Sequence, residues 1–85
     1  MSAVLSENEA LLLQALQEMG RSGTVREINA FLWRPENQVR FQRHGRAWSE
    51  HFCQHDLHYC MKKGLVVGIN EGRRYRYYLA QQVIQ

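Results

Sequence analysis

Eighty-five residues, 45% hydrophobic with one proline and six glycines, describe one domain near the lower size limit for a single core. That hydrophobic content excludes a disordered chain, there is no low-complexity run, and no apolar run approaches the roughly 20 residues a membrane span needs. The net charge of +3 is modest, and with arginine supplying most of the basic residues it is compatible equally with an anionic partner and with solvated loops on a mildly basic protein. The first residues lack a basic segment ahead of an apolar one, so no secretory signal is expected and the chain is expected in the cytoplasm.

Ser6-Glu-Asn-Glu9 is a capping-box signature that predicts the start of a first helix. Behind it Leu12, Leu16 and Met19 recur at helical spacing, with Leu13 and Ala15 widening the stripe. Gly20 or Gly23 is expected to stop this helix. Its acids, Glu7, Glu9 and Glu18, stand without a lysine or arginine in the first twenty residues, so its role reads as core and scaffold. Thr24-Val-Arg-Glu27 is a second capping box, opening a shorter helix through about Leu32 to Arg34. Val25, Ile28 and Leu32 form its buried stripe, Phe31 and Trp33 widen it, and Pro35 ends it.

Residues 35 to 46 carry Arg40, Arg43 and Arg46 in a long connection. Pro35 suits the first position of another short helix, with Val39 and Phe41 as its apolar anchor. A third long helix is predicted from Ala47 or Ser49 to Lys63. Steps of 100° put Cys53, Leu57, Cys60 and Met61 on a buried stripe and Trp48, Phe52 and Tyr59 on a second side, expected to pack against the basic connection or the hairpin. His51, His55, His58 and Lys62 fall on a third, polar face, while Glu50 and Asp56 read as isolated acids on the helix surface.

Gly64 supplies a left-handed helix stop after Lys62 and Lys63. Leu65-Val-Val-Gly-Ile69 then reads as a strand, Asn70-Glu71-Gly72 as a turn, and Arg73 to Leu79 as the returning strand. Period-2 alternation sends Tyr75, Tyr77 and Leu79 inward and Arg74, Arg76 and Tyr78 outward, with Arg73 at the tip.

The run Leu57-x-x-Cys60-x-x-x-Gly64-Leu65-Val66, followed by a basic, aromatic hairpin, resembles the third helix and wing of the winged helix-turn-helix superfamily. Cys60 occupies a position that is usually leucine there. The chain is also similar to the amino-terminal winged-helix domain of Mrr-type restriction proteins in four places. These are Leu12-Leu13-Gln-Ala-Leu16 before a glycine turn, Arg26-Glu27-Ile28, the stretch Trp33 to Phe41, and Lys63-Gly64-Leu65. The resemblance implies an α+β, mainly α, fold over residues 1–85: three helices and a C-terminal two-stranded hairpin wing. It departs from compact members in the dozen residues between the second and third helices.

The implied activity is binding of double-stranded DNA by a small transcriptional or accessory regulator. The third helix would enter the major groove through His51, His55, His58 and Lys62. The wing would meet the phosphate backbone through Arg73, Arg74 and Arg76, with Arg40, Arg43 and Arg46 clamping the other side. The alternative from the same fold is a protein–protein interaction module, and a homodimer using the polar tail Gln81 to Gln85 is a third arrangement.

Other chemistry is less well supported. His51, His55 and His58 at i, i+4 and i+7 have zinc-ligand spacing, but both cysteines point elsewhere and no fourth ligand is evident. No nucleophile, histidine and acid stand at a catalytic spacing and no glycine-rich phosphate loop is present, so neither an enzyme nor a cofactor is expected. Cys53 and Cys60 lie about 10 Å apart along one helix, too far for a disulfide, and read as reduced, buried thiols.

Overall fold

A computed structural model describes residues 5–80. The chain runs α1 (Glu7–Glu18), β1 (Ser22–Thr24), α2 (Val25–Leu32), α3 (Pro35–Gln38), α4 (Glu50–Lys62), β2 (Val66–Glu71) and β3 (Arg74–Leu79). It is thus a small α+β domain of four helices and a three-stranded antiparallel sheet, ordered β1-β3-β2. The expected tally of three helices and two strands is short by one of each. The tail from Gln81 to Gln85, considered for dimerisation, lies outside the described residues.

Both capping boxes form. The Glu9 amide donates to Ser6 Oγ at 3.1 Å while the Ser6 amide donates to Glu9 Oε1 at 3.0 Å. Thr24 and Glu27 repeat the exchange at 3.2 and 3.1 Å. Each box satisfies two of the amides that a helix start leaves without intrahelical acceptors. At the other end of α4, Gly64 takes φ +76° and the Leu65 amide donates to Cys60 O at 3.0 Å. This closes the helix and aims the chain into β2.

The missed strand is β1, whose Ser-Gly-Thr composition carries no strand signature. It forms because β3 needs a neighbour on its second edge: Ser22, Gly23 and Thr24 pair with Tyr78, Tyr77 and Arg76. The middle position is tight: a Cβ on Gly23 would come within 2.9 Å of Met19 Cε, the free end of a flexible side chain, and 3.2 Å of Ile28 Cγ1, so a larger residue there needs both side chains to give way. The fourth helix, α3, is the single turn that Pro35 opens, the short helix for which that proline is suited. Its Asn37 is buried and donates through Nδ2 to Phe31 O at 2.8 Å, fastening the turn to the end of α2.

Leu12 and Leu16 of α1, Ile28 and Leu32 of α2, Cys53, Leu57 and Cys60 of α4, and Val66 and Tyr77 of the sheet are all buried in one cluster. Each fully buried leucine contributes about 1.5–3 kcal/mol by leaving water. A buried carboxylate closes the same core at its edge, where Lys63 Nζ, after α4, donates to Glu9 Oε1 at 2.5 Å. Burial works against ionisation of Glu9, but the Lys63 bond and the Ser6 groups outweigh it and hold the carboxyl below its ordinary value.

Four expectations about burial are overturned. Met61 is only partly buried, and its place on the hidden face of α4 goes to Asp56, which is therefore no surface acid. Val39 is 78% exposed, so Phe41 alone anchors the connection. Trp33 caps α2 with its ring 48% exposed. Tyr59 stands half out of the surface beside the histidines instead of packing on the loop or hairpin.

Candidate nucleic-acid interface

The hidden face of α4 is Cys53, Asp56, Leu57 and Cys60, which turns the opposite half of the helix to solvent. His51, His55, His58 and Lys62 run along the middle of that outer half, all exposed. Tyr59 braces the row. Its ring lies 5.0 Å from His55 and 6.1 Å from His58, edge to face, and Lys62 Nζ sits 5.4 Å above it. His51 packs edge-on against Phe52 at 5.6 Å. The imidazoles are therefore held by aromatic neighbours while their outer edges stay accessible. His55 Nδ1 also lies 3.5 Å from Asp56 Oδ1.

One flank of this face drops into a groove of about 700 Å³. Glu50, Gln54, His58 and Met61 form the α4 wall, and Arg73, Arg74, Tyr75 and Tyr77 of the hairpin form the facing one. The start of α2, from Thr24 to Glu27, makes the floor. Hairpin geometry explains the second wall. Gly72 turns at φ +79°, which leaves Arg73 at the tip, and Gly68 lets the Tyr75 ring lie flat across β2. A Cβ on Gly68 would meet that ring at 2.2 Å.

The ten side chains expected at the interface divide into groups. His51, His55, His58 and Lys62 share the open face, and Arg73 and Arg74 face His58 across the groove. Arg46 is exposed in the connection ahead of α4. The other three are engaged elsewhere. Arg40 donates to Glu18 at the end of α1 and to Asn37 Oδ1 at 3.0 Å. Arg76 is held by two carboxylates, its Nε donating to Glu71 Oε1 and its Nη1 to Glu27 Oε1, both at 3.1 Å. Arg43 is drawn into the domain: its side chain is 10% exposed and its guanidinium lies 3.9 Å from the Phe52 ring centre. Of these ten, His58, Arg73 and Arg74 line one groove, while Arg40, Arg43 and Arg76 are engaged by carboxylates within the protein.

Two groups in the groove were not anticipated, Arg26 and Gln54. Arg26 is the outward position of the second capping box, and its distance from the hairpin in sequence hides their meeting in space. Gln54 falls between the histidine row and the buried stripe and reads as neutral helix surface. Neither it nor Arg26, Arg73 or Arg74 makes a hydrogen bond or ion pair with another described residue. The groove is not uniformly basic, since Glu27 and Glu50 also line it. The Thr24 amide and then Arg76 hold the Glu27 carboxyl below its ordinary value, so it stays ionised.

The two thiols belong to the core. Burial pushes both Cys53 and Cys60 up to about 12, which keeps them protonated and poorly nucleophilic. Among the described residues no three of His, Cys, Asp and Glu converge to hold a metal ion. Nor is any described helix long and apolar enough to cross a membrane. No protein-family model, curated protein or solved structure matches this chain.

Proposed function

We propose that this domain is a winged helix that binds double-stranded DNA and serves as a small transcriptional or accessory regulator. The observation that carries the reading is the groove itself: an exposed helical face rich in hydrogen-bonding side chains stands beside a hairpin whose two tip arginines are exposed and make no ion pair with a described residue. The order β1-β3-β2, with α4 leading directly into the hairpin, supports the winged-helix assignment. In this arrangement α4 lies in the major groove with Gln54, His51, His55 and His58 toward base edges, and Arg73 and Arg74 lie along a phosphate backbone. Gln54 is the side chain best shaped for adenine, through its paired donor and acceptor.

Arg26, Arg46, Lys62, Arg73 and Arg74 make up to five phosphate contacts, so the logarithm of affinity should fall with the logarithm of salt at a slope of roughly −4 to −5. Fluorescence anisotropy with a labelled duplex at low salt tests the reading. Binding that Arg73→Ala/Arg74→Ala weakens and Arg40→Ala leaves alone supports it. No binding to any duplex at low salt ends it.

A second reading, an interaction module that docks a partner protein, is favoured by one feature. Val67 and Ile69 stand exposed on the outer face of the edge strand β2, at 49% and 48%, away from the groove. One protein co-purifying in equal amount, with duplex affinity absent, would select it.

A further inference from the structure

A second concave site lies on the far side of α2, where the connection from Val39 to Ser49 folds back. It is a cleft of about 430 Å³, within the range of small-molecule sites. Trp33, Trp48, Phe41 and Leu32 supply apolar walls, and Gln38 and Arg43 supply polar ones. The walls are fixed by their own hydrogen bonds. Trp48 Nε1 donates to Phe41 O at 2.6 Å, Trp33 Nε1 to Trp48 O at 2.9 Å and Gln38 Nε2 to Trp33 O at 2.9 Å. The rim is tied to α1 by Asn8, which accepts from the His44 amide at 2.9 Å and donates to His44 O at 3.2 Å. Such a cleft exists before a ligand arrives, which keeps the ordering cost of binding small.

Arg43 is the unusual wall. Nine-tenths of its side chain is buried, yet its five donors are poorly served. Nη1 reaches His44 O only at 3.5 Å, Nη2 stands 3.7 Å from Asp56 Oδ2, and Nε has no acceptor among the described residues. The Phe52 ring at 3.9 Å and the Trp48 ring at 5.5 Å cover it. A buried guanidinium this short of acceptors costs free energy that a well-placed anion returns. Asp56 Oδ2 also lacks a hydrogen-bond partner, but Asp56 does not line the cleft and Arg43 does.

We infer that the cleft is a binding site for a small planar aromatic carboxylate, its ring between Trp33 and Trp48 and its two oxygens on the Arg43 fork. A carboxylate is the anion that matches the fork in two parallel hydrogen bonds, and the indole walls favour a flat ring over an aliphatic chain. The inference stands apart from the DNA reading, since the cleft shares no lining residue with the groove.

The charge series benzoate, benzamide and benzamidine tests it, because the three share a ring and differ in charge. Trp33 and Trp48 are the chain's only tryptophans and both line the cleft, so their fluorescence reports occupancy directly. At constant ionic strength benzoate should give a saturable change, binding about tenfold more tightly than benzamide, with benzamidine weaker still. Asp56→Asn, which removes the competing carboxylate, should tighten benzoate by about threefold or more. Arg43→Gln/Asp56→Asn, which buries no lone charge, should erase the preference for benzoate over benzamide. The inference is overturned by no saturable response to benzoate, by equal affinity across the series, by benzamidine binding best, or by Asp56→Asn weakening benzoate. If the double variant fails to fold, the charge series and Asp56→Asn still decide the matter.

Discussion

Two arginine clusters, Arg40-Phe-Gln-Arg43-His-Gly-Arg46 and Arg73-Arg74-Tyr-Arg76, look interchangeable on paper and meet different fates in the fold. In the connection, Arg40 is taken by Glu18 and Arg43 is buried against Phe52 and Asp56, which leaves Arg46 in solvent. In the hairpin, Arg76 is taken by Glu27 and Glu71, while Arg73 and Arg74 make no ion pair with a described residue, although Glu27 lies near enough for Arg74 to favour its ionised form. Each cluster therefore spends some of its charge inside the protein, and the connection spends more. The difference is set by acids from distant elements. Under the proposed DNA reading, the phosphate contacts are those of the arginines that no ion pair has claimed.

The largest effect that tests this division is on stability. Arg43→Met leaves Asp56 buried without its cation, a change that costs about 3 kcal/mol where one partner of a buried pair is lost. Arg46→Ala, three residues on, should move the urea midpoint by less than about 0.5 kcal/mol equivalent. Equal losses at the two positions would show that Arg43 is not the structural member of its cluster.

The next effect is on affinity and belongs to the hairpin. Arg73→Ala/Arg74→Ala should weaken duplex binding about 10- to 100-fold and make the salt slope shallower by about 2, with the thermal midpoint unchanged. Arg40→Ala and Arg76→Ala should each change affinity less than about threefold. A larger loss at Arg76 than at the tip pair would move the nucleic acid away from the hairpin tip and toward the Glu27 and Glu71 pairs. A smaller variant probes the groove wall: Gly68→Ala must push the Tyr75 ring aside, at about 1 kcal/mol, and a shift in affinity without a matching loss of stability would identify Tyr75 as a contact.

Much of the frame was legible because it rests on local chemistry. Ser6 with Glu9, Thr24 with Glu27, Pro35 at a helix start and Gly64 at a helix end each state their geometry within four residues. The open face of α4 was legible too, since 3.6-residue periodicity separates its histidines from Cys53, Leu57 and Cys60. Long-range pairing was not legible. Nothing near Asp56 in sequence announces Arg43, nothing near Ser22 announces Tyr78, and Arg26 meets Arg73 and Arg74 only through the sheet. Counting arginines by segment cannot distinguish a cation paired across the fold from one left in water.

Glu27 is where the two roles of charge meet, and it supports the smallest and most specific prediction. It accepts from the Thr24 amide at the cap of α2, binds Arg76, and lines the groove. The Thr24 hydrogen bond and then Arg76 keep its folded carboxyl below the ordinary value of about 4.3. In that window the unfolded chain binds more protons, so stability is present above the ordinary value and is lost as pH falls through the lowered one. Glu27→Gln keeps the cap, because glutamine also serves at that position of a capping box, but it cannot titrate. Its plot of urea midpoint against pH should be shallower on the acid side than that of the parent protein. With one negative charge gone from the groove and Arg76 partly released, duplex affinity near neutral pH should rise about two- to fivefold. An unchanged acid limb would remove Glu27 from the set of carboxylates that stabilise the fold. A weaker complex would mean that the anion-binding surface does not include the groove between α4 and the hairpin.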